Sequence, residues 1–325
     1  MNKYRLTGET EEVDGHTLHR IRAVRDVGTH VKKGNLGGWV ESVDNLSQDG
    51  DCWVSDEACV YGNAKVSGGA EVYGNARVYD DACVYDNAKV CGEAEVSGCA
   101  CVYDNAEVCS SACVWSDAQV HGNAQVYGSA RVHGHAKVYG YAKVYGNAGV
   151  CNYAEVHDFA EVMDNADVSD NADVYDHAWA YGYAIVCGHA RVYGYARVSD
   201  NAEVLEGAEV RDHAWVYDHA CVRGDAVVWG GAVGGLAHIL GDARIGSSAD
   251  YTVLRNSWSS GRWITYTRSN RKWNVGCFYG SGDELIQKAY MDGDVKGKCY
   301  ETIVRAVEQI GDIAGNPSSA NVGYG

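Results

Sequence analysis

The sequence predicts an all-β chain: a single-stranded parallel β-helix of about ten triangular coils, preceded by a β cap and followed by a small α+β module. Three observations predict it. Every sixth residue from Val54 to Val228 is Val, with Ala180 the one exception, and every sixth residue from Ala58 to Ala232 is Ala. The residue two after each Val is Gly, Asp, Asn or Ser in all but one repeat. Forty Gly, one Pro, two Phe and 23 Tyr complete a biased alphabet, the mark of one short unit copied many times.

The unit reads Ala-x-Val-x-(Gly/Asp)-x, as in Ala76-Arg77-Val78-Tyr79-Asp80-Asp81. Ala and Val stand two apart, so they share one face of a strand, and the residues between and after them face outward. Gly, Asp, Asn and Ser tolerate the left-handed conformation that a corner needs. A strand and a corner every six residues close a triangle in about eighteen, and successive coils stack at about 4.8 Å. Each Val contributes on the order of 1.5–3 kcal/mol on burial, and a narrow prism leaves room opposite it only for Ala. The register slips by one residue near Val233-Gly234-Gly235-Leu236, after which Ile239 and Ile245 continue the column in a new phase.

Residues 1–50 and 251–325 flank this rod and are expected to cover the strand edges at its two ends. The first stretch reads as strands Lys3–Leu6 and Thr17–Val24 joined through Asp14-Gly15, with Trp39 and Trp53 as plugs over the first coil. In the second, strands are expected at Tyr251–Leu254, Arg262–Thr267 and Trp273–Tyr279. Ser281 and Glu284 have the spacing of a helix capping box. A second helix is expected over about Tyr300–Ile310, where Ile303, Val304, Val307 and Ile310 share a face, and the tail Asn316-Pro317-Ser318-Ser319 reads as loose.

The net charge of −17 is concentrated in the rod: residues 51–250 carry −18, against −1 before them and +2 after. Such a rod does not neutralise phosphates, which argues against nucleic acid as its partner, although an acidic rod could imitate one. No membrane span and no secretory leader are expected, which places the chain in the cytoplasm. Thirteen Cys, an odd number without a CxxC pair, favour reduced thiols. Cys83 with Cys101 and Cys91 with Cys109 stack one coil apart, but neither pair has an evident third ligand, so no metal site is expected. Residues 51–250 contain no Thr, which excludes the flat Thr array of an ice-binding rod.

With its aliphatic and small columns, the repeat resembles the hexapeptide-repeat left-handed β-helix family, and the left hand is what that resemblance implies. In this chain the position after the aliphatic residue departs from the family, being mostly Tyr, Cys, Ser, His or Trp. Lys3-Tyr4-Arg5-Leu6, Gly37-Gly38-Trp39-Val40 and Ser47-Gln48-Asp49-Gly50-Asp51-Cys52-Trp53 resemble the cap of YdcK-type proteins, which are classed with acyltransferases. Trp273–Glu284 resembles a short module attached to repeat rods in phage and prophage proteins.

Residues eighteen apart form outward ladders. Tyr85, Tyr103, His121, Tyr139, His157, Tyr175 and Tyr193 make an aromatic one, a candidate platform for a partner and equally a device that stabilises coil on coil. Glu71, Lys89, Glu107, Gln125, Lys143 and Glu161 make one of alternating charge, expected to hold register. Trp258, Trp263 and Trp273, interleaved with Arg268 and other cations, are candidate binding residues of the C-terminal module.

The expected function is a non-catalytic scaffold or binding protein that recognises a protein partner, with no cofactor and with homo-oligomerisation open. One alternative is a coenzyme A-dependent acyltransferase with His121, His133 or His157 as general base, as the family resemblance implies. Another is an acidic inhibitor that imitates nucleic acid.

Overall fold

The structure is a computed structural model that describes residues 2–258 and 260–314. It is a parallel β-solenoid of about twelve turns, closed at one end by an antiparallel hairpin and at the other by a small antiparallel sheet with two helices. No helix among the described residues is long and apolar enough to cross a membrane.

Two-residue strands recur every six residues, from Trp53–Val54 through Arg244–Ile245, apart from one five-residue step between Val227–Val228 and Ala232–Val233. They stack into three parallel sheets, whose first strands of the regular repeat are Trp53–Val54 (first side), Cys59–Val60 (second side) and Lys65–Val66 (third side). Partners stand eighteen apart, as in Lys89 with Glu107 and Val90 with Val108. Backbone N–H groups of one coil donate to carbonyls of the next, as from Lys89 to Ala106 at 2.9 Å and from Cys91 to Val108 at 2.9 Å. Val54–Val228 and Ala58–Ala226 line one continuous buried core.

The corners have a specific chemistry. The fifth residue of each repeat from Asp56 to Gly224 has positive φ, including Asp104 at 59°, Ser110 at 62° and Asn152 at 61°. A corner N–H points along the rod, and the corner carboxylate one coil earlier accepts it, as from Gly122 to Asp104 at 3.0 Å and from Gly194 to Asp176 at 3.1 Å. Glu206, the one departure from Gly, Asp, Asn and Ser, does the same for Gly224 at 2.8 Å. Where the corner is Gly the space is tight: a Cβ on Gly140, at φ +71°, would lie 2.8 Å from the Asp158 nitrogen.

The expected ten coils become about twelve because the rod starts before residue 51. Leu36–Val40 pairs in parallel with Cys59–Val60, and Leu46 bridges to Val66. These partners are twenty apart, so two extra residues before Val54 hide the first coil from an eighteen-residue reading. Tyr4–Val13 and His16–Ala23 extend the same sheet as an antiparallel hairpin through Asp14 and Gly15, both at positive φ. Tyr4, Ile21 and Trp53 join the rod core, whereas Trp39 does not plug it. Trp39 lies on the outside of the second side, under Leu18, with its indole N–H donated to Glu57 at 2.9 Å. Lys3 is fully buried, and its amine donates to the Cys52 carbonyl at 2.8 Å.

At the far end the slip falls slightly earlier than expected, between Val228 and Val233. Trp215 pairs with Ala232, Cys221 with His238 and Val227 with Arg244, each seventeen apart. Ala232 thereby leaves the buried column, and Ala237 and Ala243 resume it.

The C-terminal strands Tyr251–Arg255, Trp263–Thr267, Lys272–Val275 and Phe278–Gly280 form one antiparallel sheet. The expected strand Trp273–Tyr279 is two strands, because Gly276 turns the chain at φ 58°. Ser281 and Glu284 close the capping box of the helix Gly282–Met291, and the second helix, Asp294–Ala314, is longer than expected. The tail at 316–319 lies outside the described residues. This module supplies partners to the last coil: Thr265 Oγ1 accepts from His238 N–H at 3.0 Å, Ser269 Oγ from Arg244 N–H at 2.7 Å, and the Tyr279 hydroxyl donates to the Leu240 carbonyl at 3.1 Å.

Cys91 and Cys109 form a disulfide across adjacent coils of the first side, against the expectation of reduced thiols. Stacking one coil apart brings their Cα atoms to 4.6 Å, within bonding range, and the whole-chain cysteine count says nothing about one such pair. Cys83 and Cys101 are paired in the same register and remain free.

Ala180 occupies a Val position and is fully buried. Ala180→Val is therefore expected to raise stability by about 1 kcal/mol, read as a higher denaturant midpoint at unchanged m-value. A lower midpoint would show that the neighbouring coils have closed over the missing methyl groups.

Candidate binding groove on the rod

The aromatic ladder of the third side stacks as its spacing requires. From Tyr85 through Tyr103, His121, Tyr139, His157 and Tyr175 to Tyr193, successive ring centroids lie 4.7–5.1 Å apart with planes within 7°. All seven residues are half-buried. Their faces are covered by one another, and the hydroxyls of Tyr139 and Tyr193 donate to Glu155 at 2.9 Å and Glu209 at 3.2 Å. Burial, more than any neighbour, pushes the Tyr85 and Tyr175 phenols up to about 12. What the ladder offers outward is mostly ring edge.

The candidate bases are held within such stacks. His133 stacks on Trp115 at 4.4 Å. His157 has both ring nitrogens beside carboxylates, Nδ1 at 3.0 Å from Asp158 and Nε2 at 3.1 Å from Asp173. Burial lowers the pKa of His121 and of His133 below the ordinary 6.5. In His157 burial also opposes charge, but Asp173 and Asp158 outweigh it and the pKa is raised.

The raised group stabilises the fold fully below pH 6.5, and that contribution is lost as pH rises through its higher folded value. For His121 the sign reverses: its contribution is complete above 6.5 and is lost as pH falls through its lowered value. His157→Gln is therefore expected to lower stability most in acid, with the gap to the parent narrowing in alkali to the pH-independent cost of the ring lost from between Tyr139 and Tyr175. Denaturant midpoints on both sides of neutrality check this; a gap that widens with rising pH contradicts it.

A second aromatic column lies along the edge between the third and first sides. Tyr141, Phe159, His177, Tyr195 and His213 stack at 4.9–5.2 Å. Unlike the half-buried ladder, this column is exposed, with Tyr141 at 56%, Phe159 at 51% and Tyr195 at 56%. It continues an amide ladder in which Asn87 donates to Asn105 at 3.3 Å and Asn105 to Asn123 at 3.4 Å.

Beside this ridge runs the outward column of the first side: Gln125, Lys143, Glu161, Trp179 and Arg197. Lys143 pairs with Glu161 at 3.3 Å, and the Arg197 guanidinium lies over Trp179 at 5.1 Å from the ring centroid. Among the described residues Arg197 makes no ion pair. Ridge and column bound an open groove of about 700 Å³ along the rod. Sequence reading had the signal for the ridge in five residues at intervals of eighteen, but that column begins in Asn and turns aromatic only at Tyr141.

The four C-terminal candidates do not come together. Trp273 is fully buried against Tyr266, and its indole N–H donates to Glu308 at 3.0 Å, so it is a core residue closed to a partner. Trp263 lines a hollow with Tyr217 and Tyr251, and Arg268 lines a different one with Tyr266 and Val307. Trp258, partly exposed, meets Tyr300 edge-on at 6.0 Å. Among the described residues the one cluster with metal-ligand spacing is Cys91, Glu107 and Cys109. Its two sulfurs are already joined to each other, which removes the thiolates a metal would need.

No protein-family model and no curated protein matches the chain.

Proposed function

We propose that this chain is a non-catalytic rigid scaffold that binds a protein partner along the groove between the Tyr141–His213 ridge and the Gln125–Arg197 column. The observation that carries the reading is a row of exposed rings held beside charged and amide groups on a rod whose outward rings are elsewhere mostly half-buried. A stack of coils cannot easily rearrange, so side chains on it are presented in fixed positions and lose little freedom on binding. Aromatic side chains and Arg are the groups that most often anchor protein interfaces.

The test is affinity capture with the intact chain and with the triple variant Tyr141→Ser, Phe159→Ser, Tyr195→Ser, matched for folding by circular dichroism. Loss of the captured protein in the variant is expected; equal capture overturns the groove. Turnover of acetyl-coenzyme A by the purified chain, abolished by His133→Ala, would replace binding with acyl transfer.

A further inference from the structure

We infer that the partner in this groove is a second copy of the chain, lying alongside the first and antiparallel to it, about a two-fold axis level with His177 and Trp179. The inference rests on the reading of the groove as a protein interface and names its occupant. Such an axis, perpendicular to both rods, brings a residue one coil below His177 level with one that lies a coil above it in the other copy, and it keeps each column opposite itself.

The two columns are self-complementary under that operation. In the charged column Glu161 comes level with Arg197 of the second copy, and Arg197 with Glu161, so two acid–base contacts form by symmetry. Two coils out, Lys143 comes level with Trp215, an exposed ring of the same column. In the ridge Phe159 meets Tyr195, Tyr141 meets His213, and His177 meets itself. Arg197, exposed and without an ion pair among the described residues, gains one; Glu161, already held by Lys143 and by the Tyr145 hydroxyl at 2.9 Å, gains a second cation.

A parallel pair, with its axis along the rod, levels Glu161 with Glu161 and Arg197 with Arg197, and brings no acid of this column to a base. The common repeat also matters: two rods with the same coil spacing of about 4.8 Å stay in register over the whole contact, which a partner of unrelated period would not. An isologous contact of this kind closes at two copies and does not propagate.

Sedimentation equilibrium of the full chain over a concentration series should show a monomer–dimer equilibrium. Glu161→Arg or Arg197→Glu alone should weaken it about tenfold or more, and the two together should restore it to within about threefold. Thermal unfolding of each variant separates a lost contact from a lost fold.

A benzoylphenylalanine at position 141 supplies the second readout. It should cross-link to residues 213–215, which lie four coils, about 19 Å, away in the same chain and are therefore reached only in another copy. A chain that stays monomeric overturns the inference; so does a dimer indifferent to both reversals, or a cross-link to the level of residue 141 itself. In each of those cases capture of a different protein that depends on Tyr141, Phe159 and Tyr195 would leave the binding reading standing, and its absence would remove both.

Discussion

Val144→Asp is expected to unfold the middle of the rod. Val144 is fully buried on the first side, stacked between Val126 and Val162 in a core lined only by Val and Ala along its regular length. The substitution forfeits about 1.5–3 kcal/mol of apolar burial. It also places a carboxylate where neither water nor a hydrogen-bond donor can reach it, at a further cost of several kcal/mol. Together these approach the whole stability of an ordinary domain, roughly 5–15 kcal/mol.

Because each coil contacts only its neighbours, the damage propagates through the interfaces on either side. Val144→Ala, which copies the native arrangement at Ala180, should cost only about 2 kcal/mol. Denaturant unfolding followed by circular dichroism distinguishes the pair, and similar midpoints for both would contradict a packed prism.

A chain ending at Asp250 is expected to assemble end to end. Without the module, the N–H groups of His238 and Arg244 lose Thr265 and Ser269, and the Leu240 carbonyl loses Asn270 and Tyr279. The exposed coil then presents three parallel strand edges, a template for the end of another rod. Because the hairpin still covers the other end, light scattering should show a rise toward twice the chain mass with concentration, and the rise should persist when Arg197→Glu is added, since that change acts on the side of the rod and leaves its ends alone. A truncated chain of unchanged size would mean that the last coil protects itself.

Much of this fold is legible in the sequence because the physics is one-dimensional. A residue's neighbours lie eighteen positions away, so the Val and Ala columns give the core, the fifth positions give the corners, and Tyr85 through Tyr193 give a stack. Legibility fails where the count changes. Two extra residues before Val54 conceal that Val40 and Leu46 already line the first coils, and one missing residue after Val228 moves Ala232 out of the core.

The groove is harder to see for a different reason. Its ridge follows the corner residue, a position that is Asn in one part of the rod and aromatic in another, and periodicity gives alignment without exposure. The half-buried ladder and the exposed ridge have the same spacing and look alike as sequence. The Cys91–Cys109 bond shows the same limit, since eighteen-residue spacing identifies the pair but not its oxidation state. In the C-terminal module nothing repeats, and there Trp273 looked like a surface ring although it is the centre of a small core.

On the proposed reading, the exposed edge binds and the half-buried ladder stabilises. The most direct test is capture and thermal unfolding of two matched triple variants, Tyr141→Ser, Phe159→Ser, Tyr195→Ser on the edge and Tyr103→Ser, Tyr139→Ser, Tyr175→Ser on the ladder. The edge variant should lose its partner and, at a concentration where the parent is monomeric, keep its melting temperature, while the ladder variant should melt earlier and keep its partner. The opposite pattern, with binding lost from the ladder and stability lost from the edge, would contradict this assignment.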